Sequence, residues 1–419
     1  MDVVAQDVAL SLAQAPPSSV VVAAPLLSDQ PIARPDDLAL RVAALVSGRI
    51  GPSARAHAQA AQLGTARAIA GRASALVYVQ TEIARGDLRT TVDVYPSMAN
   101  AWDRIRNPLP SPTAHAFASA KIDAEVRAFL APLLLEQASI HRAHQDEGDV
   151  LAVACGDVDG DGGNELVLVS RARVALGRIR GERFVPERTA AWSALAPRLP
   201  VPMREPLGGA VVSLGVIDVG STDRGSFALT PDFVGHDALS AIPASGWDGA
   251  VCLRPEPSAG AFDGAPIECT VTRDPRPKLA VPSPRFDAFA AASFADRDGR
   301  PHSAVVVREP SSKLKMRIDD APVQTLEGTY GAQIAVADLD QDGMPDLVTT
   351  VDGTDDAITL WSWTPADLRP RLRVAAPGGV RALTVCPSEQ NGIPALVAVV
   401  ADEVWLLRPI AENRGASGR

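Results

Sequence analysis

The chain has 419 residues, of which 46% are apolar and 21% charged, and a net charge of −10. That length supports two or three domains with real cores, and the balance reads as globular. The acidic surplus excludes nucleic acid as a partner: no basic patch offsets it, and Lys121, Lys278, Lys313 and Lys315 are the only lysines. Aromatic content of 4% counts against a lectin, whose sugar sites use aromatic platforms.

In chain order, residues 1–18 read as a leader or linker, with an edge strand over Val3–Leu12 as the alternative. Val20–Ala24 is a β-branched run ended by Pro25, hence a buried strand. Asp36 or Asp37 then caps a helix whose apolar stripe is Leu38, Val42, Leu45 and Val46. Ser53 opens a small-residue helical stretch to about Gly71, broken near Gly64. Leu76–Ile83 and Leu88–Tyr95 alternate around Ala84-Arg85-Gly86-Asp87 and predict a hairpin. Beyond a Pro-rich break at 107–112, a long helix is expected from about Thr113 to His144, kinked at Pro132. The order strand, helix, helix, hairpin, helix gives an α/β domain over residues 19–146. With Val20–Leu26 and Ala75–Tyr95, it is similar to the N-terminal domain of the TolB family of periplasmic translocation proteins. That resemblance implies an α/β domain placed ahead of a β-propeller.

From Asp149 onward helix signals fade, and short apolar runs recur between Gly, Pro and Asp. Two acidic stretches dominate: Asp157-Val158-Asp159-Gly160-Asp161-Gly162-Gly163-Asn164-Glu165 and Asp338-Leu339-Asp340-Gln341-Asp342-Gly343-Met344-Pro345-Asp346. Each lies between two strand-like runs and carries acids at positions 1, 3, 5 and 9, with Gly at position 6. Alternating oxygen ligands around a Gly-enabled turn suit a hard cation, Ca²⁺ above all. The layout argues against an EF-hand, whose last acid is at position 12 and whose loop is flanked by helices.

The pattern resembles the FG-GAP/VCBS repeat of integrin-α-like β-propellers. The resemblance implies two Ca²⁺ sites. The first would take side chains of Asp157, Asp159, Asp161 and Glu165 with the Gly163 carbonyl, and the second those of Asp338, Asp340, Asp342 and Asp346 with the Met344 carbonyl. Three further stretches read as repeats that kept the turn and lost the ion: 218–226, 294–302 and 387–395. Repeats at 149–209, 210–284, 285–329, 330–376 and 377–410 predict an all-β propeller over 149–410, ahead of a flexible tail at 411–419. Five blades are expected, with six or seven as alternatives, the sixth hidden in 231–284. The last repeat shows only three strands, so an upstream strand should complete it.

Four cysteines fit an extracytoplasmic chain. Cys252 and Cys269 suggest a clipped hairpin. Cys155 and Cys386 are either a bridge closing the ring or two buried thiols. With no apolar run near the ~18 residues of a membrane span and no basic leader at Met1-Asp2-Val3, the expected location is periplasmic, cell-surface or secreted, after removal of a signal peptide. Other candidates are weaker. Arg85-Gly86-Asp87 spells an integrin-binding tripeptide but is also ordinary turn chemistry. His141 and His144 share a predicted helix face, and a solvated helix end is the better reading. Glu82 and Asp93 read as solvent-face residues. No nucleophile elbow, phosphate loop or zinc motif occurs. The expectation is a non-enzymatic, calcium-binding scaffold or adaptor for a protein partner of the bacterial envelope or surface. A polysaccharide-acting propeller enzyme and a carbohydrate-binding module are the rivals.

Overall fold

A computed structural model describes the chain apart from residues 12–18, 30–31, 72–73, 98–101, 103–104, 106–110, 197–198, 200–205, 247–248, 257–259, 265, 270–280, 365–366, 390–391 and 412–419. The expected tail lies almost wholly outside the described residues.

The first part of the chain forms one mixed sheet: β1 (Ser19–Ala23), β2 (Leu27–Ser28), β3 (Arg55–Ala56), β4 (Ala75–Ala84), β5 (Asp87–Tyr95) and β6 (Ala114–Lys121). Their order is β3-β1-β4-β5-β6, with β2 also beside β4. β1 runs parallel to β3 and β4, and the predicted β4–β5 hairpin is present in register, Ala84 opposite Asp87. Helix α1 (Asp2–Ser11) and helix α2 (Pro35–Ile50) cover one face of the sheet, and α3 (Leu63–Ala70) packs near Val22, Leu76 and Tyr78. Burial of Val4, Ala5 and Val8 follows a helical period, which corrects the edge-strand expectation for Val3–Leu12. α2 begins at Pro35 after Arg34, without a side-chain cap. Asp36 and Asp37 therefore lie in its first turn, where they meet the positive end of the helix dipole. Ser53 starts no helix: His57 N–H bonds to the Val21 carbonyl, so this segment runs beside β1, and α3 begins only at Leu63.

The long helix expected over 113–144 is replaced by β6, a short helix Ala124–Arg127 and β7 (Leu133–His144). Its alanines suit a helix, but in β6 the buried residues, Ala116 and Ala118, alternate with exposed His115, Phe117 and Ser119. That period of two matches a strand laid against β5. β7 is decided by a distant partner, since it pairs antiparallel with the last strand of the chain.

The rest is a series of antiparallel sheets. β8–β11 cover Val150–Gly156, Glu165–Ser170, Arg173–Arg180 and Arg183–Ala191; β12–β15 cover Gly208–Ser213, Val216–Ser221, Gly225–Leu229 and His236–Ala238. Two small patches follow: β16 (Ile242–Gly246), β17 (Gly249–Leu253) and β20 (Ile267–Glu268) form one, and β18 (Pro255–Glu256), β19 (Ala261–Asp263) and β21 (Arg285–Phe286) the other. β22–β25 cover Ala288–Ala295, Pro301–Arg308, Leu314–Ile318 and Gln324–Leu326; β26–β29 cover Ile334–Ala337, Asp346–Thr349, Asp355–Thr364 and Asp367–Pro377. β30–β32, at Val380–Cys386, Ala395–Val400 and Glu403–Ala411, complete the chain's strands. First strands touch in succession: β8 with β12, β12 with β16, β16 with β22, β22 with β26, β26 with β30, and β30 with β8. Strands arranged this way around an axis make a β-propeller. They line a central cavity of about 650 Å³, walled largely by alanine, valine and glycine.

β7 supplies the strand missing from the last sheet. It pairs with β32 over Leu133–His144, and its end meets β11 at Arg183, joining the first and last sheets edge to edge. The strand comes from residues 133–144 and not from Val3–Leu12. Cys155 and Cys386 pair at disulfide distance across the same seam, Cα–Cα 5.0 Å apart. Cys252 and Cys269 pair within the β17–β20 patch. The stretch 210–284 holds two units, since β15 ends at Ala238 and a new first strand starts at Ile242.

Candidate metal centre

Both acidic loops join a first strand to a second, β8 to β9 and β26 to β27, and they share one backbone design. Positions 4 and 6 are left-handed in each: Gly160 and Gly162 (φ 81° and 83°), Gln341 and Gly343 (φ 54° and 86°). Position 1 accepts two backbone N–H groups. Asp157 takes those of Gly160 (2.7 Å) and Gly162 (3.0 Å), and Asp338 those of Asp342 (2.9 Å) and Gly343 (3.0 Å). Position 9 reaches back to the N–H of position 2: Glu165 to Val158 at 2.7 Å, Asp346 to Leu339 at 2.9 Å. Val158 and Leu339 are buried, so each loop is pinned to the core by its second residue.

These contacts gather carboxylates. Oxygens of Asp157, Asp159 and Glu165 lie within 4.8 Å of one another, as do those of Asp338, Asp340 and Asp346. The position-5 acids stand outside both trios. Asp161 accepts from the Gly163 N–H at 2.8 Å, and Asp342 from the Met344 N–H at 2.9 Å.

Charge compensation separates the loops. In the first, Arg178 of β10 reaches every acid but Asp157: Nε donates to Glu165 at 2.6 Å, and one terminal nitrogen lies 2.8 Å from Asp161 and 3.4 Å from Asp159. The Gly163 N–H and Arg178 together hold the Asp161 carboxyl below its ordinary range. In the second loop two guanidiniums stand at the edge of the trio, Arg127 acting on Asp338 and Arg371 on Asp340. Arg371 of β29 stays 3.7 Å from Asp340 and spends its guanidinium on Glu136 of β7 and the Ser362 hydroxyl (3.0 Å). Ser362 donates to Asp346 at 2.7 Å. Asp340 is 5% exposed and Asp346 1%, and Asp340 Oδ1 is buried without a hydrogen-bond partner. Burial pushes the Asp338 carboxyl up to about 7, and burial with neighbouring carboxylates raises Asp340 and Asp346 as well. These counter-charges leave Asp340 Oδ1 unbonded, and an orphaned carboxylate oxygen is costly to bury. The donor set is all oxygen, which fits a hard divalent cation.

The N-terminal sheet docks beside the second loop. Arg127, nearly fully buried, donates to Gln341 Oε1 at 2.8 Å and to the Gly392 carbonyl at 3.4 Å. At the β4–β5 turn, a Cβ on Gly86 would meet Gly392 N at 2.6 Å, and Asp87 pairs with Lys121 at 3.1 Å. Gly86 of the Arg85-Gly86-Asp87 turn therefore packs against the last propeller sheet, while Arg85 and Asp87 bond within their own unit.

The remaining expectations sort clearly. In 294–302, His302 takes position 9 and pairs with Asp296 (3.3 Å) and Asp319 (2.7 Å). Asp218–Ser221 belong to β13, and the first-to-second connection of that sheet is the tight turn at Leu214-Gly215. In 387–395, Glu389 accepts from the Asn164 N–H at 3.3 Å; Asn391 lies outside the described residues. His141 and His144 sit on β7, bonded separately to the Gly181 carbonyl and to Asp146. Glu82 is exposed and Asp93 pairs with His115. Sequence reading missed Arg178, Ser362, Arg371 and Arg127. The first two could have been found by hairpin register, as each lies across from a position-9 acid.

No family model matches the chain, and no curated protein matches it. Among solved structures the chain is similar to propeller proteins. One is the aldose sugar dehydrogenase of Streptomyces coelicolor in its PQQ-bound form (12% identity, 67% of this chain and 100% of that chain, TM-score 0.41). Others are the Cps50 (Swd1) β-propeller domain of Myceliophteria thermophila (8%, 80% and 95%, 0.35) and TolB from Acinetobacter baumannii (11%, 96% and 95%, 0.33).

Proposed function

We propose that the chain is a non-enzymatic scaffold whose six-bladed propeller is clamped by Ca²⁺ at the second loop. Six is the count of first strands that touch in succession, with the β16–β21 patches taken as one blade. The observation that carries the cation is the trio Asp338, Asp340 and Asp346, the last two buried, with Asp340 Oδ1 left unbonded. The ion would be held by these carboxylates, with Asp342 and the Met344 carbonyl completing the set. It supplies charge neutralisation, and the chain's residues fix the strand-to-strand turn. The ligand set Asp157, Asp159, Asp161, Gly163 and Glu165 makes a second site when Arg178 is displaced.

A rigid ring presents broad loop faces, which suits binding another protein of the bacterial envelope or surface. The two cysteine pairs support a place outside the reducing cytosol. Calorimetric titration of the chelator-treated chain with Ca²⁺ tests the site: heat of binding is expected, and it should vanish in Asp340→Ala. A flat wild-type titration would sink the cation reading. A pull-down from envelope extract, run beside a glycan hydrolysis assay, tests the scaffold role; turnover would replace it with the enzyme reading.

A further inference from the structure

The two loops are built alike, and the strand that follows them is too. β11 carries an extra residue, Glu187, opposite the Leu176–Gly177 step of β10, and β29 carries one, Arg371, opposite the Leu360–Trp361 step of β28. Gly177 faces Leu166 and Trp361 faces Leu347, so the bulges fall at equivalent places. The next residue of the third strand meets position 9: Ser362 is paired with Asp346, and Arg178, one step beyond the Gly177–Leu166 pair, donates to Glu165. Gly177 has no room for a side chain, since a Cβ there would lie 2.1 Å from the Val185 carbonyl oxygen. The chain is therefore held close at this point, and Arg178 projects over the acids.

One position thus carries a short hydroxyl in one loop and a guanidinium in the other. Ser362 donates a single hydrogen bond to Asp346 and accepts one from Arg371, whose guanidinium stays 3.7 Å from Asp340 and hydrogen-bonds to none of the trio in the way that Arg178 does in the first loop. Arg178 spans Asp159, Asp161 and Glu165, three of the four acids that the first loop offers a metal. Its fork matches carboxylate geometry, and guanidinium does not lose its proton in proteins.

We propose that Arg178 is the first loop's own counter-ion: its guanidinium stands where a divalent ion would bind, and the residue across from position 9 decides which loop takes metal. This rests on the cation reading for the second loop. The chain should then bind one Ca²⁺.

The test is titration of the full, chelator-treated chain and its variants with Ca²⁺ alone, read by calorimetry for stoichiometry. Wild type should give one site. Arg178→Ser, which copies the second loop, should give two, and Arg178→Gln, which keeps the stem and a polar head, serves if the first variant folds poorly by circular dichroism. The reciprocal Ser362→Arg should weaken the original site at least tenfold, and the double swap should return the count to one. Two equal sites in wild type would overturn the proposal, as would folded Arg178→Ser and Arg178→Gln chains that gain none. A wild type with no site condemns the cation reading instead; Arg178→Ser then still decides the proposal by gaining a site or failing to.

Discussion

The first and second acidic loops share backbone, spacing and place in the sheet, yet they solve the same electrostatic problem differently. The first is braced from within the chain. Arg178 neutralises it, Asn164 ties it to the Pro387 carbonyl at 2.8 Å, and Cys155, two residues upstream, is bonded to Cys386. The second has no disulfide and is held by hydrogen bonds, Arg127 to Gln341 and Arg297 to the Asp342 carbonyl, and its trio carries raised carboxyl pKa values and an unbonded oxygen. A motif repeated in sequence therefore specifies a turn, and residues outside the motif set how its charge is compensated.

The largest expected effect falls on the first loop's brace. A bond across 231 residues restricts the unfolded chain strongly, and losing it should cost about 5 kcal/mol by the loop-entropy relation. Denaturant melts of Cys155→Ser with Cys386→Ser should show this loss equally with Ca²⁺ and with chelator. A loss confined to one condition would mean that the two loops are not separately supported.

Next comes the ion itself. At a hundred times the dissociation constant, binding adds about 2.7 kcal/mol to stability. Ca²⁺ should therefore raise the melting temperature of wild type and leave Asp340→Ala unmoved. Asp159→Ala should keep the rise, because its loop already holds Arg178. An equal loss in both variants would erase the contrast between the loops.

The smallest effect is the pH dependence. Asp338 has a folded pKa near 7 against an ordinary 3.8, so the metal-free fold binds a proton more tightly than the unfolded chain does. Its contribution to stability is then present at low pH and fades as pH rises from about 4 to about 7. Bound Ca²⁺ requires the ionised form and opposes this trend. The melting-temperature gain from Ca²⁺ should be larger at pH 8 than at pH 5, by differential scanning calorimetry; the reverse order would discredit the buried-trio account.

The parts legible in sequence were those with local causes. The β4–β5 hairpin follows from alternation around a Gly turn, and the acidic loops follow from spacing alone. β7 was not legible, because Leu133–His144 becomes a strand only by pairing with residues some 270 positions later, as in the Ser139–Arg408 contact. The apolar period of α1 misled for a related reason: Val3–Leu12, with Gln6, Asp7 and Ser11 among its apolar residues, offers either period until a surface selects one. In the site, the acids were visible and their counter-charges were not. Arg178 and Arg371 reach the loops through sheet register, and Arg127 through the docking of one unit on another.

Closure by β7 also has a consequence for synthesis. The strand emerges from the ribosome before any first strand of the ring, while its main partner β32 emerges after all of them. Throughout translation β7 holds an open edge, the kind of template that invites misassembly between neighbouring nascent chains. A chaperone that shields residues 133–144 until β32 arrives would raise the yield of folded chain without touching either acidic loop.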